Sequence, residues 1–140
     1  MAINVSRIKI KAEKSKVWEV ITNPIHIKAW QFNSDLETTW QVDDDITFST
    51  AWDGNIYKQW GKVIAYQPYE MVRYSLFAPR PGLEDIPENY FIMTYLLQDL
   101  DGETELEILQ EDNRPNAVEE DSESADNPIL NTLKNLAESL

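Results

Sequence analysis

The chain has 140 residues, no cysteine and a formal net charge of -13. That length suits one domain, spanning 1–140, with a real core. The missing thiols exclude disulfides, thiolate metal sites and cysteine nucleophiles, and the charge sets nucleic acid and anionic lipid aside as partners.

Asn4 to Lys11 alternates, with Ile8 and Ile10 on its apolar face, and is predicted to be a half-buried strand. Lys14 to Thr22 carries Val17, Trp18 and Ile21 at helical spacing and stops at Asn23-Pro24. A second short helix is expected over Pro24 to Ala29, with Trp30, Gln31 and Phe32 in the loop after it. From Leu36 onward the pattern changes to strand-like runs parted by turn residues. They are Leu36 to Val42, Ile46 to Trp52, Ile56 to Tyr66, Met71 to Phe77, Tyr90 to Leu100 and Thr104 to Gln110. Asp53-Gly54 and Asp101-Gly102 are hairpin signals. Residues 78–89 hold Pro79, Pro81, Gly82 and Pro87 and are expected to form a long loop.

Charge is uneven along this order. Six basic residues between Met1 and Lys28 face only Glu13 and Glu19, whereas twelve carboxylates between Asp99 and Asn127 face only Arg114. The segment 111–126 is expected to be solvent-exposed and partly helical. The chain then ends in its best helix pattern. Asn127 is placed to cap, Pro128 suits the first turn, and Ile129, Leu130, Leu133, Leu136, Ala137 and Leu140 share one face. A helix this short needs a cover for its apolar stripe. Hairpin-linked strands with helices segregated at the ends argue an α+β fold in which a sheet supplies that cover.

Four stretches carry a resemblance to a known family. They are Val17-Trp18-Glu19-Val20-Ile21-Thr22-Asn23-Pro24 followed by Trp30, Gly61-Lys62-Val63-Ile64-Ala65-Tyr66-Gln67-Pro68, Val72-Arg73-Tyr74-Ser75, and Gly102-Glu103-Thr104-Glu105-Leu106. In this order and spacing they resemble the START-like (SRPBCC, Bet v 1-like) superfamily. Within it they are similar to the family named for the activator of the ninety-kilodalton heat-shock-protein ATPase. The resemblance implies a helix-grip fold. That is a curved antiparallel sheet of six to seven strands around a C-terminal helix, with two short helices after the first strand and an apolar cavity between sheet and helix. The chain departs from the family pattern at Asp43-Asp44-Asp45, where a turn glycine is usual, and at Asn127-Pro128-Ile129, where a Gly-Trp pair is usual. The first turn of the last helix, with Ile129 in the tryptophan's place, is therefore where this chain is expected to differ most from its relatives.

The aromatic load supplies the candidate site. Trp30, Phe32, Trp40, Phe48, Trp52, Tyr74, Met93, Tyr95, Ile129 and Leu133 are the residues expected to line a cavity. Large apolar surfaces would hold a ligand there, and the polar tips of tyrosine and tryptophan would orient it. The competing reading of each ring is ordinary core packing.

Catalytic and metal-binding sets are harder to assemble. His26 is the single histidine and falls on a short surface helix. One histidine and scattered acids make no zinc-like ligand set, and Asp43-Asp44-Asp45 lacks the spacing of a calcium loop. Gln59, Arg73 and Gln98 are the candidate interior polar residues, with Arg73 expected to point outward. No catalytic residue, metal or cofactor is assigned. The leading expectation is non-enzymatic binding of a small hydrophobic or aromatic molecule. A chaperone-cofactor-like interaction module, as the family name suggests, comes second, and a cyclase- or hydrolase-like enzyme third. A protein partner or a homodimer stays compatible with the acidic surface. The start of the chain shows no signal peptide or anchor, and no run approaches the roughly 20 apolar residues that span a bilayer. A cytoplasmic protein without a membrane partner is expected.

Overall fold

Alternation at the N-terminus produces an edge strand, β1 (Ala2–Ile10), whose inward residues Ala2, Ile8 and Ile10 are buried. The computed structural model describes residues 2–31, 33–112 and 128–140. After β1 come α1 (Lys14–Thr22) and α2 (Pro24–Trp30). Asn23 separates the two helices: its backbone is extended and its side chain accepts a hydrogen bond from the Ile25 N–H at 3.0 Å. This is an N-cap with proline just inside the helix, the arrangement that leaves fewest orphan donors. Trp30 closes α2 rather than lying in the following loop.

Six further strands follow: β2 (Asp35–Thr38), β3 (Asp45–Trp52), β4 (Asn55–Gln67), β5 (Met71–Leu76), β6 (Phe91–Leu100) and β7 (Glu103–Asp112). They join β1 in one seven-stranded antiparallel sheet, ordered β1-β7-β6-β5-β4-β3-β2. Two-residue turns set two of the registers. Asp53 and Gly54 have φ of 51° and 77°, and Asp101 and Gly102 have 59° and 92°. Positive φ at both central positions matches the right-handed twist of the flanking strands. The last helix, α3 (Pro128–Ser139), packs against α1, α2 and β1 on the concave side. The architecture is the α+β helix grip.

Strand β2 stops at Thr38, short of the expected Val42. The Thr38 hydroxyl accepts from the Trp40 N–H at 3.1 Å and the Thr39 hydroxyl from the Gln41 N–H at 3.3 Å. Side chains thus take donors that a longer ladder would use, and Trp40 turns to φ 59°. In β4, Gly61 is required by close approach. A Cβ there would lie 1.8 Å from the Ser75 carbonyl oxygen. Pairing with β5 is also irregular between Val63 and Ala65, which sets Val63 and Tyr66 on the same face, opposite Tyr74 and Val72.

The core fills one end of the concave face. Ile10, Val17, Val20, Ile21, Val63, Val72, Leu106, Leu133 and Ala137 are all at or within 1% of full burial. Leu130, Leu133 and Ala137 are the buried stripe of α3, whereas Leu140 is 42% exposed. Expected contributions from Asn127 and from residues 113–126 lie outside the described residues. Among the described residues, no helix is long and apolar enough to cross a membrane.

Candidate functional site

Toward α2 and the β3–β4 hairpin the concave face is not filled. A cavity of about 750 Å³ opens there between the sheet, the end of α2 and the first turn of α3. Its apolar wall includes Trp30, Phe48, Tyr74, Leu76, Phe91, Met93, Tyr95 and Ile129. These residues come from three strands and two helices, and strand parity explains the sheet's share. Tyr74 pairs with Met93 and Leu76 with Phe91, so each pair presents its side chains to the same face. Gln31, Asn33, Ser34, Thr50, Gln59 and Gln110 add amides and hydroxyls to the wall, beside Ala51 and Tyr57. Among the described residues, none that lines the cavity is charged and none is a histidine.

Several of the polar tips are already committed. The Trp30 indole donates to the Val20 carbonyl at 2.7 Å, which fixes the ring as a wall. Ser34 and Thr50 hydroxyls share a hydrogen bond of 2.8 Å. The Tyr74 hydroxyl donates to the Tyr95 hydroxyl at 3.4 Å, and both rings are buried. Burial pushes the Tyr74 pKa well above its ordinary value, with the Tyr95 hydroxyl adding to the effect. Burial likewise raises Tyr95. Both therefore stay neutral hydrogen-bonding groups at physiological pH.

Six of the ten residues expected at a cavity line it: Trp30, Phe48, Tyr74, Met93, Tyr95 and Ile129. Trp40 instead stands behind the wall. It stacks on Tyr66 with centroids 5.5 Å apart and donates its indole N–H to the Thr22 carbonyl at 3.0 Å. Leu133 is fully buried in the filled end. Phe32 lies outside the described residues, as does the side chain of Trp52. The polar rim was largely missed in the sequence, since only Gln59 stands out there as an interior candidate. Arg73 points to the convex face, where it bonds Glu111 at 2.9 Å, and Gln98 is exposed. His26 is half-buried on α2 and does not reach the cavity. No group of three or more metal-ligating side chains occurs among the described residues.

Fold and cavity together define a START-like helix-grip domain. The chain belongs to the family described as "Activator of Hsp90 ATPase homolog 1-like protein", which it matches over residues 11–139. The solution structure of ChR145 from Cytophaga hutchinsonii is 31% identical, covers 80% of this chain and 78% of that one, and has a TM-score of 0.66. The Aha1 dimer from Colwellia psychrerythraea is 19% identical over 84% of this chain and 81% of that one, with a TM-score of 0.62. The crystal structure of Ara h 8.0201 is 11% identical over 99% of this chain and 100% of that one, with a TM-score of 0.69. At those identities the last two likenesses concern the fold alone. No curated protein sequence matches the chain.

Proposed function

We propose that this protein is a non-enzymatic carrier or sensor of a small, uncharged molecule with an aromatic or hydrophobic body, held in the concave cavity. The observation that supports this reading is the composition of the wall. Among the described residues, it combines large apolar side chains with six amide or aliphatic hydroxyl residues and no charge across about 750 Å³. Such a lining removes apolar surface from water while offering a few directional polar contacts. It offers nothing to offset the cost of burying an ionised group.

Two probes separate a neutral-ligand site from general stickiness. N-phenyl-1-naphthylamine is uncharged, and 1-anilinonaphthalene-8-sulfonate is the same skeleton with a sulfonate. The neutral probe is expected to bind saturably, with energy transfer from tryptophan, and the sulfonate at least about tenfold more weakly. Ile129→Trp restores the bulk usual in the family at the first turn of α3. It is expected to lower the neutral probe's affinity by about tenfold with little change in melting temperature. An unsaturable response, or equal affinity for both probes, overturns the reading.

A further inference from the structure

A second cavity, of about 580 Å³, lies on the convex face of the sheet, away from the one described above. It is framed by Trp60 and Lys62 of β4, Asp45 of β3 and Ile92 of β6, with Asp85 and Tyr90 brought over them by the 78–89 loop. The loop is knit by its own hydrogen bonds. Leu83 N–H donates to the Arg80 carbonyl at 3.1 Å, and the Asn89 amide donates to the Glu84 carbonyl at 2.9 Å. These bonds aim Asp85 back at the sheet. One carboxylate oxygen of Asp85 accepts from the Trp60 indole at 3.0 Å and the other from the Tyr90 hydroxyl at 2.5 Å. Burial, followed by the bond to Asp85, pushes the Tyr90 pKa up to about 12, so its hydroxyl remains a donor throughout the neutral range.

Beneath these groups sits Phe77, 3% exposed and outside the main core. Its ring centroid is 5.4 Å from those of both Trp60 and Tyr90. The result is an aromatic platform with one carboxylate fixed at its edge. The charge balance around it is negative. Lys62 is neutralised by Asp45 at 2.6 Å, whereas Asp85 forms no ion pair among the described residues. A platform that only sealed the sheet would not require a carboxylate held by two aromatic donors.

We propose that this convex-face cavity binds a small methylated ammonium ion. Aromatic faces and an unneutralised carboxylate attract a cation through its field. The bonds from Trp60 and Tyr90 take two of the roughly four acceptor positions of Asp85, which leaves fewer for a primary ammonium with three N–H groups to satisfy. A quaternary ammonium makes no such demand and presents methyl groups to Trp60 and Tyr90. The net charge of -13 further raises the local concentration of cations.

The test is an NMR titration of the tryptophan indole N–H signals in the full chain, with choline and its uncharged isostere 3,3-dimethylbutan-1-ol. Trp60→Phe assigns the Trp60 signal. Choline is expected to shift that signal saturably, and the isostere to bind at least about tenfold more weakly. Asp85→Asn is expected to weaken choline binding by about tenfold while leaving N-phenyl-1-naphthylamine binding unchanged, which separates this site from the concave one. Equal responses to choline and the isostere overturn the proposal. So does a choline shift that spares Trp60, or a folded Asp85→Asn protein with unaltered choline affinity. The isostere comparison uses the unmodified chain and decides the matter even if that variant fails to fold.

Discussion

The two ends of the concave face use the same kind of residue to opposite effect. At one end Ile10, Val72 and Leu106 of the sheet pack in one core with Leu133 and Ala137 of α3, all five fully buried. At the other, Phe48, Tyr74, Met93 and Ile129 stand around open space. A run of rings joins them: Trp18 to Tyr66 at 5.3 Å, Tyr66 to Trp40 at 5.5 Å and Trp40 to Tyr74 at 6.1 Å. Burial is therefore concentrated at the filled end, and the hollow end keeps unfilled space. The difference shows why hydrophobicity alone does not mark a site. What separates the ends is whether a facing element arrives to fill the space.

The sharpest break of this comparison is a matched pair of truncations. Leu133→Ala removes a fully buried side chain from the filled end and is expected to cost about 3 kcal/mol of unfolding free energy. Met93→Ala trims a wall that already borders open space, so it creates no new enclosed void and is expected to cost about 1 kcal/mol. Urea unfolding of both variants measures the gap. Equal losses would mean that the hollow end closes in solution.

This asymmetry explains which features could be read from the sequence. The Asp53-Gly54 and Asp101-Gly102 turns were legible because their backbone requirement is local. So was α1, whose observed bounds, Lys14–Thr22, follow from its apolar spacing and the Asn23-Pro24 stop. The end of β2 was not, because it depends on what the Thr38 and Thr39 hydroxyls bond. Periodicity places Leu133 and Ile129 on the inner stripe of α3, but it cannot say which end of the sheet each meets. Gln31, Asn33 and Gln110 look like ordinary surface amides until the curvature of the sheet turns them inward. The convex cluster did leave a trace. Trp60 stands one residue from Gln59 in β4 and so points to the opposite face, a parity signal that a simple count of aromatics overlooks.

A second, pH-dependent measurement sharpens the view of the wall between the ends. The folded-state pKa values of Tyr74 and Tyr95 are raised chiefly by burial. Stability from keeping them neutral is fully present below the unfolded value of about 10 and is lost as pH rises above it. In that range the unfolded chain releases protons that the folded chain retains. Tyr90 adds to the same loss, over a window that closes near its folded value of about 12. The melting temperature is expected to fall more steeply above about pH 10 in the parent chain than in Tyr74→Phe. Matching slopes would mean that water reaches the Tyr74 hydroxyl through the cavity.

The smallest expected effect tests whether the two ends are independent. Glu138, near the end of α3, accepts from the Lys11 backbone N–H at 2.8 Å and bonds Lys134 one turn back. Lys134 is the leading cause of its lowered pKa, with the Lys11 N–H next. Because the folded value is depressed, the contribution is present above the model-peptide value of 4.5 and lost as pH falls through the folded one. Glu138→Gln is expected to cost about 1 kcal/mol near neutral pH, and nothing once the parent carboxyl is protonated. Its anchor lies at the filled end, beside Lys11, so N-phenyl-1-naphthylamine affinity should not change. If the affinity does fall, α3 carries strain from its anchored end to Ile129, and the filled and hollow ends act as one unit.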